Sequence, residues 1–164
     1  MVAATSGGQL AAEHGMFYHH AGIVCFFFTF IPAIPLFAYC YWSLWRRRER
    51  PRGAAAGTAW IPLGVVGQST AASTFLFDAH LYGIIMFTIG VPCVLFGMYC
   101  FYQAVFTWAP YGPGWWGSTF PVGTLCLGSW TEGWHALSFG LLLLLLFHWC
   151  ACALRFGTWQ RERV

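Results

Sequence analysis

No Lys, Arg, Asp or Glu lies deep in any of five apolar stretches, at about residues 17–45, 60–77, 81–108, 115–131 and 134–155. A helix needs about 20 mostly apolar residues to cross a hydrocarbon core roughly 30 Å thick, and several of these stretches meet that length. Charged residues make up 8% of the 164, whereas a soluble domain carries about 25%, so a water-facing surface cannot be assembled from this composition. The expected fold is an all-α integral membrane protein of five transmembrane helices. Residues 1–16 read as a short flexible lead-in, 17–155 as the membrane domain and 156–164 as a cytoplasmic tail. The lead-in lacks a basic segment followed by an apolar core, so it does not read as a signal peptide.

The fourth stretch is the shortest, and it holds Pro121 and three glycines. Charge placement decides whether it crosses. With five crossings, Arg46, Arg47, Arg48, Arg50 and Arg52 fall on the same side as Arg155, Arg161 and Arg163, and Asp78, His80 and Glu132 fall on the other. The positive-inside rule then puts the N-terminus outside and the C-terminus in the cytoplasm. Trp42, Trp45, Trp60, Trp108, Trp115, Trp116, Trp130, Trp134 and Trp149 lie mostly near the expected span ends, where interfacial anchors sit. The net charge of +3 therefore reports topology and not nucleic-acid binding, and the arginine run needs no role beyond fixing orientation.

Without buried carboxylates or cations the spans offer neither a proton relay nor a fixed-charge trap. The seven cysteines lack the spacing of a disulfide framework or a zinc site and read as small hydrophobes. No catalytic group, metal or cofactor is expected. The second and fourth spans are instead interrupted, one by Pro62, Gly64, Gly67 and Gln68, the other by Gly117, Pro121 and Gly123. Broken backbone at membrane depth persists where protein or a water-filled cavity satisfies it. Freed N–H groups and half-helix N-termini would then favour an anion. The alternative is that these small residues only allow close helix packing. Ser69, Thr70, Ser73 and Thr74 form a hydroxyl stripe, for which bonding to their own helix is the favoured reading over lining a path. His19, His20 and His148 raise a haem-binding electron-transfer subunit as a second functional class, although neighbouring His19 and His20 point to different helix faces.

Two segments, WIPLGVVGQ at Trp60–Gln68 and GWWGSTFPVG at Gly114–Gly123, together with Tyr82 and Gly83, resemble the tellurite-resistance/dicarboxylate transporter family. That family is similar in having ten spans in five hairpins, with odd-numbered helices forming an inner ring around a pore and protomers that often form trimers. The resemblance covers roughly residues 17–155, in the order of spans six to ten. It implies transport of small anions, C4-dicarboxylates such as malate first, with sulfite, tellurite, chloride and nitrate as alternatives. It also implies a gate at Phe120, beside Pro121, Gly117, Gly123 and Trp116, and a lining from Pro62, Gly64, Gly67, Gln68 and Ser69. Two inner helices cannot enclose the expected pore. A truncated product is the first explanation, ahead of a half that pairs with a separate N-terminal half or dimerises; a non-transporting fragment is the remaining functional class.

Overall fold

The structure, a computed structural model, describes residues 1–47 and 50–161. Arg48 and Arg163, two of the arginines in the charge argument, lie outside the described residues. The described chain is helical with no strand. It comprises α1 (Val2–His14), α2 (Met16–Arg47), α3 (Gly64–Phe77), α4 (His80–Phe106), α5 (Thr119–Thr131) and α6 (His135–Arg161). Two 3-10 segments, Gly53–Leu63 and Pro113–Ser118, run directly into α3 and α5. The protein is an all-α membrane protein. Helices α2, α4 and α6, of 32, 27 and 27 residues, are long and apolar enough to cross a bilayer. In their most apolar windows only 17%, 28% and 17% of the residues are buried inside the protein, so their apolar surface requires a lipid solvent.

The other two expected spans are composites, and the 3-10 form accounts for their reach. A 3-10 helix rises about 2.0 Å per residue against 1.5 Å for an α-helix, so Pro113–Thr131 extends about 31 Å despite its brevity. The Gly53–Phe77 composite extends about 43 Å by the same measure. Eleven residues of 3-10 helix is long for that geometry. It is held by packing and not by propensity: Ala56, Ala59, Trp60 and Leu63 are fully or almost fully buried.

Packing partners fix the directions. Gly83, Gly90 and Gly97, a heptad apart on α4, face Thr70, Val66 and Trp60 in turn, so α4 runs antiparallel to the first composite helix. A Cβ on Gly97 would lie 3.0 Å from the Trp60 ring. The two composites run parallel in backbone contact, Gly57 against Gly114 and Trp115, and Gly67 against Thr124 and Leu125. A side chain on Gly67 would drive into the Thr124 carbonyl, so only glycine allows this approach.

Residues 2–14 differ from the flexible lead-in expected there. They form α1, which packs on α2 and α3 and lies parallel to α3. Gly7 meets the backbone of Gly22 on α2, Gly8 sits on Phe75, and the Met1 ammonium donates to Thr29 Oγ1 at 3.1 Å. Burial of Ala4, Thr5, Gly7 and Gly8 supplies the order that polar composition and short length conceal. Three short helices, α1, α3 and α5, thus stand side by side in one inner layer, each followed by a long helix that packs back on it. The sequence pointed to two.

The two ends of the molecule carry opposite charge. At one end Trp115 Nε1 donates to the Gly53 carbonyl at 3.0 Å, and Arg155 donates to the Ala109 carbonyl at 2.6 Å, gathering residues 50–53, 107–112 and the end of α6. Arg155 is 7% exposed, with its guanidinium 4.2 Å from the Trp108 ring centroid. At the other end Glu132, with a side chain 1% exposed, accepts from Thr74 Oγ1 and from His80 Nδ1, each at 2.8 Å. Asp78 Oδ1 faces His80 Nε2 at 3.1 Å, so an imidazolium satisfies both carboxylates.

Candidate functional site

The two composite helices meet at their 3-10 to α junctions, Leu63–Gly64 and Ser118–Thr119, near mid-length. Here the chain places the residues of both interrupted motifs. Phe120 projects from the first turn of α5 and leaves 60% of its surface exposed. Its ring lies over Gly64, where a Cβ would be 3.3 Å from Cε1, and Pro121 Cγ borders the same spot at 4.0 Å. Gly117 sits one turn away, against the Gly57 carbonyl and Ile61. Ile61 is 55% exposed, so Ile61 and Phe120 stand on a face of the inner layer that no described residue covers. Phe120, Pro121, Gly117 and Gly64 are therefore one cluster, with Pro62 half-buried beside it.

The other expected residues are directed elsewhere. Gln68 is 6% exposed and its amide donates to Thr5 Oγ1 of α1 at 2.8 Å, which ties two inner helices together. Ser69 is fully buried and accepts from Tyr82 Oη at 2.7 Å, which joins α3 to α4. Gly67 is closed against α5. Gly123 lines a shallow groove with Trp130, His135 and Phe139, on the side facing α6. Trp116 donates from Nε1 to Tyr111 Oη at 2.7 Å and belongs to the arginine-bearing end. Thr70, Ser73 and Thr74 bond to carbonyls three or four residues back on their own helix, and Ser69 Oγ lies 3.4 Å from the Val66 carbonyl.

The electrostatics differ from the expectation of free donors at a broken helix. At the first junction the Gly64 N–H is bonded to the Ile61 and Pro62 carbonyls, and at the second the Thr119 N–H is bonded to the Trp116 carbonyl. A 3-10 segment that runs straight into an α-helix uses these N–H groups, so neither junction presents an exposed half-helix N-terminus. What the cluster offers is an exposed apolar ring seated on the seam between two closely packed helices. Such a ring can control passage by excluding water.

Other groups were hidden from local reading. His148 is fully buried on α6, its ring centroid 5.0 Å from Trp60 and 4.3 Å from Phe101. His19 Nε2 donates to the Leu76 carbonyl at 3.1 Å, at the far end of the first composite helix from Trp60, so His19 and His148 do not face a common haem iron. Among the described residues no three His, Cys, Asp or Glu side chains gather closely enough to share a metal ion. The Thr74–Glu132–His80 contact joins residues 58 and 52 positions apart, a pairing that only the tertiary fold brings about.

No curated protein and no solved structure matches the chain. A family model described as the voltage-dependent anion channel family SLAC1 matches residues 1–156. That match begins with α1 and runs on into α6, and with it the chain belongs to the SLAC1 family of voltage-dependent anion channels.

Proposed function

We propose that this chain lines part of a passive path for small anions, gated by the Phe120 ring, with C4-dicarboxylates such as malate as the first substrate class. The observation that carries the reading is a single one: a large aromatic side chain, 60% exposed, stands on the open face of the inner layer directly over Gly64. The other exposed aromatic residues of α3 and α5, Phe75, Phe77 and Trp130, lie in the last turns of those helices toward the acidic end, whereas Phe120 stands at the junction. All five end-to-end elements cross the bilayer in this reading, with both arginine-bearing segments in the cytoplasm. Three inner helices leave that face open, so a second copy or a complementary set of inner helices closes the lumen. The lack of an acidic residue deep in the spans favours uncoupled flux over proton-coupled transport.

The test is flux in proteoliposomes, comparing the protein with Phe120→Ala for malate, sulfite, chloride and nitrate. Removing the ring is expected to raise flux by an order of magnitude or more while the preference among anions stays unchanged, since an apolar gate acts by dewetting and not by selecting charge. Equal flux in both proteins would overturn the gate.

A further inference from the structure

Helices α2 and α4 both belong to the outer layer, yet they hardly pack on each other. They approach through ring pairs, Phe30 with Tyr82 at 5.9 Å and Tyr41 with Phe96 at 6.4 Å between centroids. Between them, toward the arginine-bearing end, lies a cleft of about 890 Å³ lined by Tyr41, Leu44, Trp45, Pro92, Cys93 and Phe96, with Arg50 and Tyr99 at its mouth. That volume falls at the upper end of the range for small-molecule sites, about 300–1,000 Å³. The lining has a physical origin. Pro92 interrupts the hydrogen bonding of α4 beside the cleft, and Tyr41 forms its floor by donating to the Ala59 carbonyl at 3.0 Å.

The mouth is polar and positive. Arg50 donates to Tyr99 Oη at 3.0 Å and lies 5.2 Å from that ring centroid, and no carboxylate pairs with it among the described residues. Trp45 stands at the same level, 80% exposed. An apolar cleft that opens onto the lipid face, closed at the headgroup level by an uncompensated guanidinium, matches one amphiphile in both its parts. We propose that the α2–α4 cleft is a binding site for an anionic phospholipid, with one acyl chain along Cys93 and Phe96 and the phosphate on Arg50 and Tyr99 Oη. Arginine suits this role because its planar fork donates to phosphate oxygens in pairs. Each buried methylene adds a further increment of affinity, so chain and headgroup bind together.

Native mass spectrometry of the detergent-purified protein tests this, with phosphatidylglycerol, phosphatidylcholine or inorganic phosphate added. One phosphatidylglycerol per chain is expected to be retained, phosphatidylcholine about fivefold more weakly, and phosphate without the chain not measurably. Arg50→Gln is expected to weaken phosphatidylglycerol retention about fivefold, while Arg46→Gln, whose guanidinium instead stacks on Trp42 at 5.1 Å, changes it by less than twofold. Cys93→Trp fills the cleft and is expected to abolish retention. Arg50 is exposed, so its substitution leaves the fold intact and carries the test even where Cys93→Trp does not fold. Equal retention of the two lipids would overturn the proposal. So would equal weakening by Arg46→Gln and Arg50→Gln, or a Cys93-lined face that proves to be covered by a second copy of the chain.

Discussion

The seam between the two composite helices and the outward faces of α2, α4 and α6 are built from the same apolar alphabet and answer to opposite rules. Along the seam, Gly57, Gly67 and Gly128 bring backbone against backbone, and an added methyl group has nowhere to go. On the outer faces, Phe28 at 81% exposure and Leu154 at 70% turn away from the protein. Lipid is as apolar as these side chains, so their size drives no association between helices, whereas close approach at the seam gains dispersion and fixes register. The difference places specificity in the small residues and membrane insertion in the large ones.

Substitutions at the two surfaces sharpen that contrast. Gly67→Ala is expected to have the largest effect, about 3 kcal/mol of destabilisation or loss of monodisperse protein, because its Cβ meets the Thr124 carbonyl and Leu125 amide and not a flexible side chain. Thermal unfolding in detergent measures it, and a change under 1 kcal/mol would remove the seam as the structural centre. Glu132→Ala ranks next at about 2 kcal/mol, since it strips the buried carboxylate that accepts from Thr74 and His80. The same melts read it. Phe28→Ala is expected to stay within about 0.5 kcal/mol, and a larger loss would show that the outward face of α2 packs on protein.

The outer helices were legible from composition because a hydrophobic run needs no partner to be recognised. Pro62, Gly64, Pro121 and Gly117 were likewise legible as interruptions. Their consequence was not: a 3-10 segment leading into each α-helix, which consumes the N–H groups that a true break would free. That outcome depends on Trp60 and Trp115 being buried against other helices, information no local window holds. Helix α1 escaped for the same reason. VAATSGGQLAAEH is too short and too polar to announce a membrane helix, and it is ordered by Gly7 on Gly22 and by Thr5 accepting from Gln68. Phe120 was singled out through family resemblance, and the structure adds its exposure and its seat on Gly64, neither of which spacing predicts.

Whether the open face of the inner layer borders water or lipid decides the functional reading. Cysteines introduced as Phe120→Cys, Ile61→Cys and Phe28→Cys, each compared with the parent protein in proteoliposomes, report this through their rates of modification by a membrane-impermeant thiosulfonate. Fast modification at positions 61 and 120 with none above the parent at position 28 is expected of a water-filled path along the composite helices. Protection at 61 and 120 equal to that at 28 would place all three in lipid and contradict a pore on that face.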